Sequence, residues 1–236
     1  MQKLEGKVAI VAGGAGGVGE GIVRAFLGHG ARVAVPSRDS AKLEALRQHV
    51  GADLAQRLFT LQGDLTAPGG VDKIRDDVVE ALGPIDAVVA SVGGWWQGAP
   101  LTDVPLDTWN TVLHNNLTSH FLLSKAFLPA LAHRRGSTYT LINGSAAEAP
   151  VAQAGPACIA AAANAMLSRV LVEEHRGAPV RINTLVMGSI HTRASAARSE
   201  PTWLTADEIG EFCAHLASEE GHMIHGGLHH LLEHPA

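Results

Sequence analysis

The sequence holds a single tyrosine, Tyr139, and no lysine follows Lys125. Any chemistry that needs a phenol, or a lysine in the C-terminal part, has almost nothing to draw on. Cysteine is equally scarce. Cys158 and Cys213 are 55 residues apart, a spacing that matches no metal or redox motif and fits a reducing cytoplasm. Charged residues make up 17% of the 236, the net charge is −5, and no basic run exceeds two residues. That pattern excludes a nucleic-acid footprint and a basic helix suited to a membrane surface. No uninterrupted apolar run reaches the roughly 18 residues of a membrane span, so no membrane partner is expected. No cleavable apolar segment precedes the strand pattern at Val8, and a cytoplasmic location is expected. Linkers, low-complexity tracts and internal repeats are absent, which makes residues 1–236 one domain.

What the chain has is alternation. Apolar residues reach 46%, enough for a large core. Strand-like runs fall at 7–13, 32–37, 57–63, 85–91, 138–144, 180–186 and, more weakly patterned, 221–232. Helical patterns lie between them at 17–29, 40–50, 69–82, 106–133, 153–175 and 205–218. Several strand runs are apolar at successive positions, as when helices cover both faces of a sheet. The pattern predicts an α/β chain: one doubly wound Rossmann-type domain with a seven-stranded parallel sheet flanked by helices.

The first strand runs into "VAGGAGGVGEGIVRAF". Gly13, Gly17 and Gly19 would make the turn, admit a diphosphate to the backbone, and let helix and strand pack closely. A helix opening there, at Gly17 and Val18, would offer free N–H groups and a positive dipole end to phosphate. The competing reading is a bare structural turn. The second strand ends in "VPSRDS". Ser37 stands where an NAD-specific site usually has an acid for the ribose 2′-hydroxyl. Ser37 and Arg38 suit a 2′-phosphate through charge-assisted hydrogen bonds, so NADP(H) is favoured over NAD(H). The alternative is that Arg38 is a surface residue paired with Asp39.

These segments, with those downstream, resemble the short-chain dehydrogenase/reductase family over nearly the whole chain. "GKVAIVAGGAGGVG" resembles its opening strand and glycine loop, with Ala12 where threonine is common. "GDL" is similar to the end of its third strand and implies Asp64 and Leu65 beside the adenine. "GPIDAVVASVGG" resembles its fourth strand, keeping Gly93 and replacing an Asn-Asn pair by Ala90-Ser91. "TWNTVLHNNLTSHFLLSKAFLPAL" places Asn116 at the family's active-site asparagine, and "STYTLINGSAAEA" offers Ser145 for its serine. "RINTLVMGSIHTRA" resembles the nicotinamide-holding loop, with Gly188, Ile190 and Thr192 at cofactor positions and Met187 replacing a proline.

The family's reaction requires Tyr-x-x-x-Lys at the start of the fifth long helix, where this chain reads "GPACIAAAANAML". Anchoring on "MLSRVLVEE" puts the tyrosine at Ala157 and the lysine at Ala161. A one-residue shift offers Pro156 or Cys158, and Ala160 or Ala162. No register supplies the pair, and methyl groups transfer no protons. Glu148, His191, Cys158 and Ser145 are the substitutes within sequence reach. Each also has a plain reading: a solvated loop acid, a surface or phosphate-contacting imidazole, an inert thiol, a lone hydroxyl.

The alanines have a structural use too. They suit a tight helix–helix seam, and the resemblance implies a homodimer or homotetramer built on that helix. Trp95 and Trp96 could wall the substrate side, cap the core or face another subunit. Between Thr192 and Trp203 lie only ten residues, a short lid that leaves a pocket open to water. His222, His225, His229, His230 and His234 crowd the C-terminus. On one strand, His225 and His229 would share a face about 13 Å apart, too far to share an ion, so no metal site is expected. Three functions compete: an NADP(H)-binding oxidoreductase with atypical or weak catalysis on an unidentified carbonyl or alcohol; a non-catalytic nucleotide sensor or oligomerisation partner; and a scaffold that binds no nucleotide.

Overall fold

The computed structural model describes residues 2–234. In chain order the elements are β1 (Val8–Ala12), α1 (Gly17–Gly28), β2 (Arg32–Ser37), α2 (Ser40–Val50), a single-turn α3 (Ala52–Ala55), β3 (Leu58–Gln62), α4 (Gly70–Leu82) and β4 (Ala87–Ala90). The second half has α5 (Leu106–Leu113), α6 (Ser119–Leu131), β5 (Thr138–Gly144), α7 (Gly155–Glu174), β6 (Arg181–Met187), β7 (Ile190–His191), β8 (Leu204–Thr205), α8 (Ala206–Ala217) and β9 (Leu228–Leu231).

Seven strands form one parallel sheet in the order β3-β2-β1-β4-β5-β6-β9, the doubly wound arrangement that the alternation predicts. The apolar runs follow from burial on both faces. In β1, Ala9 and Val11 join the core beneath α1, α2 and α8, while Val8, Ile10 and Ala12 join the core beneath α4 and α6. Successive strand residues point to opposite faces, so both sets must be apolar. Tyr139 of β5 is wholly buried, and burial pushes its phenol pKa up.

Three differences from the sequence reading have physical causes. The helix expected over 106–133 is broken by one π turn, His114–Thr118, between α5 and α6. Apolar periodicity is nearly blind to a single wide turn. The last strand covers only Leu228–Leu231, and a 3₁₀ turn occupies Glu219–Gly221. His222 and His225 therefore precede the strand, and the shared strand face expected for His225 and His229 does not exist. His225 Nδ1 instead faces the Ile182 N–H at 3.1 Å, and His229 packs edge-on against Phe212. A two-residue pair, β7 with β8, was beneath the reach of any pattern. Helix α7 is long and apolar enough to cross a membrane by length and composition, with mean hydropathy 1.4 over its window. Asn164, Ser168 and Arg169 interrupt it, which is why the sequence shows no uninterrupted apolar run of that length. In this fold α7 lies on the sheet: Leu171 enters the core, and the Thr184 hydroxyl donates to Ser168 Oγ at 2.5 Å.

Candidate active site

The strand order reverses between β1 and β4, and such a reversal opens a crevice beyond the strand ends. Gly13 follows β1 and Ser91 follows β4. Gly13 has φ +82°, and a Cβ there would strike the Ser91 carbonyl. A Cβ at Gly19 would strike the Gly13 carbonyl, and one at Gly17 would stand 3.0 Å from the Thr192 side chain. Gly16 differs: it lines the crevice, and a Cβ there would meet only the Gly13 carbonyl, at 3.2 Å. The first turn of α1 has no side-chain cap, so its N–H groups remain available to a ligand.

The crevice has two lobes, about 470 and 450 Å³, that share Gly13, Gly16, Ser91, Gly93, Trp95 and Asn116. Ser37, Arg38, Asp64 and Leu65 line the first, joined by Lys42 and Trp96. Asp39 caps α2 by accepting from the Ala41 and Lys42 N–H groups at 2.9 and 3.2 Å. The acid nearest Arg38 is Asp64, at 3.9 Å, rather than Asp39. Asp64 is itself held by the Thr66 hydroxyl and N–H, and these bonds, with Arg38 a smaller cause, keep its carboxyl below the ordinary range.

Gly17, Val18, Gly19, Gly188, Ile190 and Thr192 line the second lobe. So do Ala157 and Ala161, one turn apart on α7, whereas Pro156, Cys158, Ala160 and Ala162 do not. The anchored register is thus the one whose methyl groups face the crevice. Asn116 sits in the π turn. Its Oδ1 accepts from the Gly94 N–H at 2.8 Å, its Nδ2 donates to the Val112 carbonyl, and its own carbonyl accepts from Asn164 Nδ2 at 2.8 Å.

None of the four substitutes is among the residues that line the lobe. Ser145 opens a 3₁₀ turn, and its neighbours Gly144 and Ala146 line the lobe while it does not. Glu148 is exposed and pairs with His230 at 2.9 Å. His191 is exposed on β7. Cys158 turns to Val151, whose N–H lies 3.4 Å from its sulfur. Five polar side chains that sequence reading passed over do line the lobe: His120, Asn143, Asn164, Ser195 and Arg198. His120 and Asn164 are buried, and neither His120 Nδ1 nor Asn164 Oδ1 has a partner among the described residues. Burial lowers the His120 pKa to about 4, so the ring is neutral at pH 7. Helical spacing held a signal for both: His120 follows Asn116 by four positions, and Asn164 follows Ala161 by three.

The family model for short chain dehydrogenases matches residues 7–203. The chain belongs to the short-chain dehydrogenase/reductase family. It is 36% identical over 146 residues to cis-2,3-dihydrobiphenyl-2,3-diol dehydrogenase of Pseudomonas sp. (strain KKS102), a match that covers 60% of this chain and 51% of that protein. It thus matches about half the length of that relative. It is 32% identical over 197 residues to cis-1,2-dihydrobenzene-1,2-diol dehydrogenase of Pseudomonas putida, covering 80% and 68%. D-threitol dehydrogenase of Mycolicibacterium smegmatis is 31% identical over 95% of this chain and 90% of its own. Among solved structures, the short-chain dehydrogenase/reductase from Serratia marcescens BCRC 10948 superposes with a TM-score of 0.87 at 21% identity, covering 98% of both chains. At that identity the likeness speaks for the fold. The family makes this chain an oxidoreductase by descent and its cofactor a nicotinamide nucleotide.

Proposed function

We propose that this short-chain dehydrogenase/reductase binds NADP(H) in the cytoplasm and acts on a carbonyl or alcohol with weak or atypical turnover. One observation carries the reading: a continuous crevice runs from Arg38 and Lys42, past the glycine loop and the open first turn of α1, to Ala157 and Ala161. The uncapped N–H groups and the Gly16 opening fit a diphosphate. Ser37, Arg38 and Lys42 fit a 2′-phosphate, with two cations beside a hydroxyl in place of the acid that would favour NAD(H). The nicotinamide, when bound, supplies or accepts the hydride. The chain's own part is to hold it between Asn116, Ile190 and Thr192. No phenol or ammonium stands at Ala157 or Ala161 to move the substrate proton, which is why weak turnover is expected. The names of the relatives place dihydrodiols and threitol first in a substrate screen.

The two alanine methyl groups in the wall favour a second reading, nucleotide binding without turnover. A titration with NADPH and NADH, followed by Trp95 quenching or calorimetry, tests the common part. Micromolar NADPH binding that clearly beats NADH supports the proposal. Absence of binding by either overturns it. If binding holds, NADP+ reduction with dihydrodiols and threitol, together with NADPH oxidation against a panel of ketones, separates the two readings.

A further inference from the structure

We propose that Arg198 is an anion-binding residue of the second lobe, where its guanidinium receives a phosphate or carboxylate oxygen pair. The inference rests on the nucleotide-binding reading only for what the anion belongs to. Arg198 closes the 3₁₀ turn Ala196–Arg198 and lines the lobe. Among the described residues the hydrogen bond that Arg198 donates is from its backbone N–H, to the Ser195 carbonyl, and its guanidinium is in no hydrogen bond or ion pair. Apart from it, the lobe is lined by apolar, amide and hydroxyl side chains and the neutral His120. It is therefore the lobe's one standing charge.

The turn that carries Arg198 is built to hold it in place. Buried Ser195 donates to the Ile190 carbonyl and accepts from the Thr192 N–H, each at 2.8 Å. Ser199 Oγ donates to the Ser195 carbonyl at 3.0 Å, and so does the Arg198 N–H, at 2.9 Å. Arg193 is tied to Glu20 of α1 at 3.2 Å, and β7 pairs with β8 beyond the turn. A neighbouring arginine spent on an ion pair, beside one left without a partner over a cavity, is the pattern of a ligand contact. Guanidinium binds carboxylate or phosphate through two parallel hydrogen bonds. Two sources share that chemistry: the diphosphate of the nucleotide, near Gly17 and Thr192, and a carboxylate on the substrate, near Trp95.

The experiment titrates inorganic pyrophosphate and, separately, benzoate into the nucleotide-free protein at low salt, reading tryptophan fluorescence or heat. Wild type, Arg198→Ala and Arg198→Lys are compared; Arg198 is exposed, so the variants keep the fold. We expect at least one anion to bind about tenfold or more weakly in Arg198→Ala, with Arg198→Lys retaining part of the affinity. Dependence of pyrophosphate and NADPH together assigns the anion to the nucleotide. Dependence of benzoate, with NADPH affinity unchanged, assigns it to the substrate. Equal binding of both anions by wild type and Arg198→Ala, or binding of neither by wild type, overturns the proposal. Failure of the nucleotide reading shows separately, as wild type that binds no NADPH.

Discussion

Arg38 is the residue on which cofactor choice turns. Its side chain is 65% exposed, and its nearest acid is 3.9 Å away, so the guanidinium is available to a phosphate. Arg38→Asp should weaken NADPH and strengthen NADH; unchanged NADPH affinity in that variant removes Arg38 from the site. Ala157 and Ala161 decide turnover. The double variant Ala157→Tyr, Ala161→Lys should gain ketone reduction that neither single variant shows, because the phenol needs the ammonium beside it to lower its pKa. A double variant that binds NADPH yet reduces nothing means that the rest of the lobe no longer positions a substrate. His120 carries a pH signature. Burial holds its pKa near 4, below the ordinary 6.5. As pH falls below 6.5 the unfolded chain takes up that proton first, so stability is complete above 6.5 and falls by about 3 kcal/mol towards pH 4. His120→Gln should flatten the slope of unfolding free energy against pH in that window; an unchanged slope denies the buried neutral imidazole.

At the scale of elements, the crossing of α1 and α8 fixes the base of the glycine loop. A Cβ at Gly21 would strike the Ala206 backbone, and one at Gly210 would strike the Gly21 carbonyl. Only glycine lets these helices approach so closely. Gly210→Ala should therefore cost about 1–3 kcal/mol. Thermal unfolding should register this as a fall of about 2–4 °C for each kcal/mol, and because α1 carries Gly17 and Gly19, NADPH affinity should fall with it.

At the scale of the whole molecule, α7 presents Ile159, Met166 and Val170 to solvent, with exposures of 41%, 55% and 43%. The small residues between them, Ala162 and Ala163, leave a shallow apolar face. Apolar faces of this kind mark association surfaces, and we propose that a second copy covers this one, in a homodimer or homotetramer. Met166→Glu should shift the sedimentation coefficient towards the monomer. A wild type that is monomeric at all concentrations ends the proposal.

By itself the sequence determined the strand–helix alternation, the glycine loop, the Ser37–Arg38 pair and the alanines at 157 and 161. These are local: each follows from periodicity, turn chemistry or the absence of a residue type. The tertiary structure decided what faces the crevice. Glu148, His191 and Cys158 are near the site in sequence, yet His230, solvent and Val151 take them out of its wall, and of the turn that Ser145 opens it is Ala146 that lines the lobe. His120, Asn164 and Arg198 enter the wall from three distant elements. The difference has one physical reason. Hydrophobic period and backbone preference act within a few residues of chain, whereas a side chain's partners are set by which elements pack together, and a π turn or a two-residue strand pair, too short to leave a pattern, is enough to redirect them.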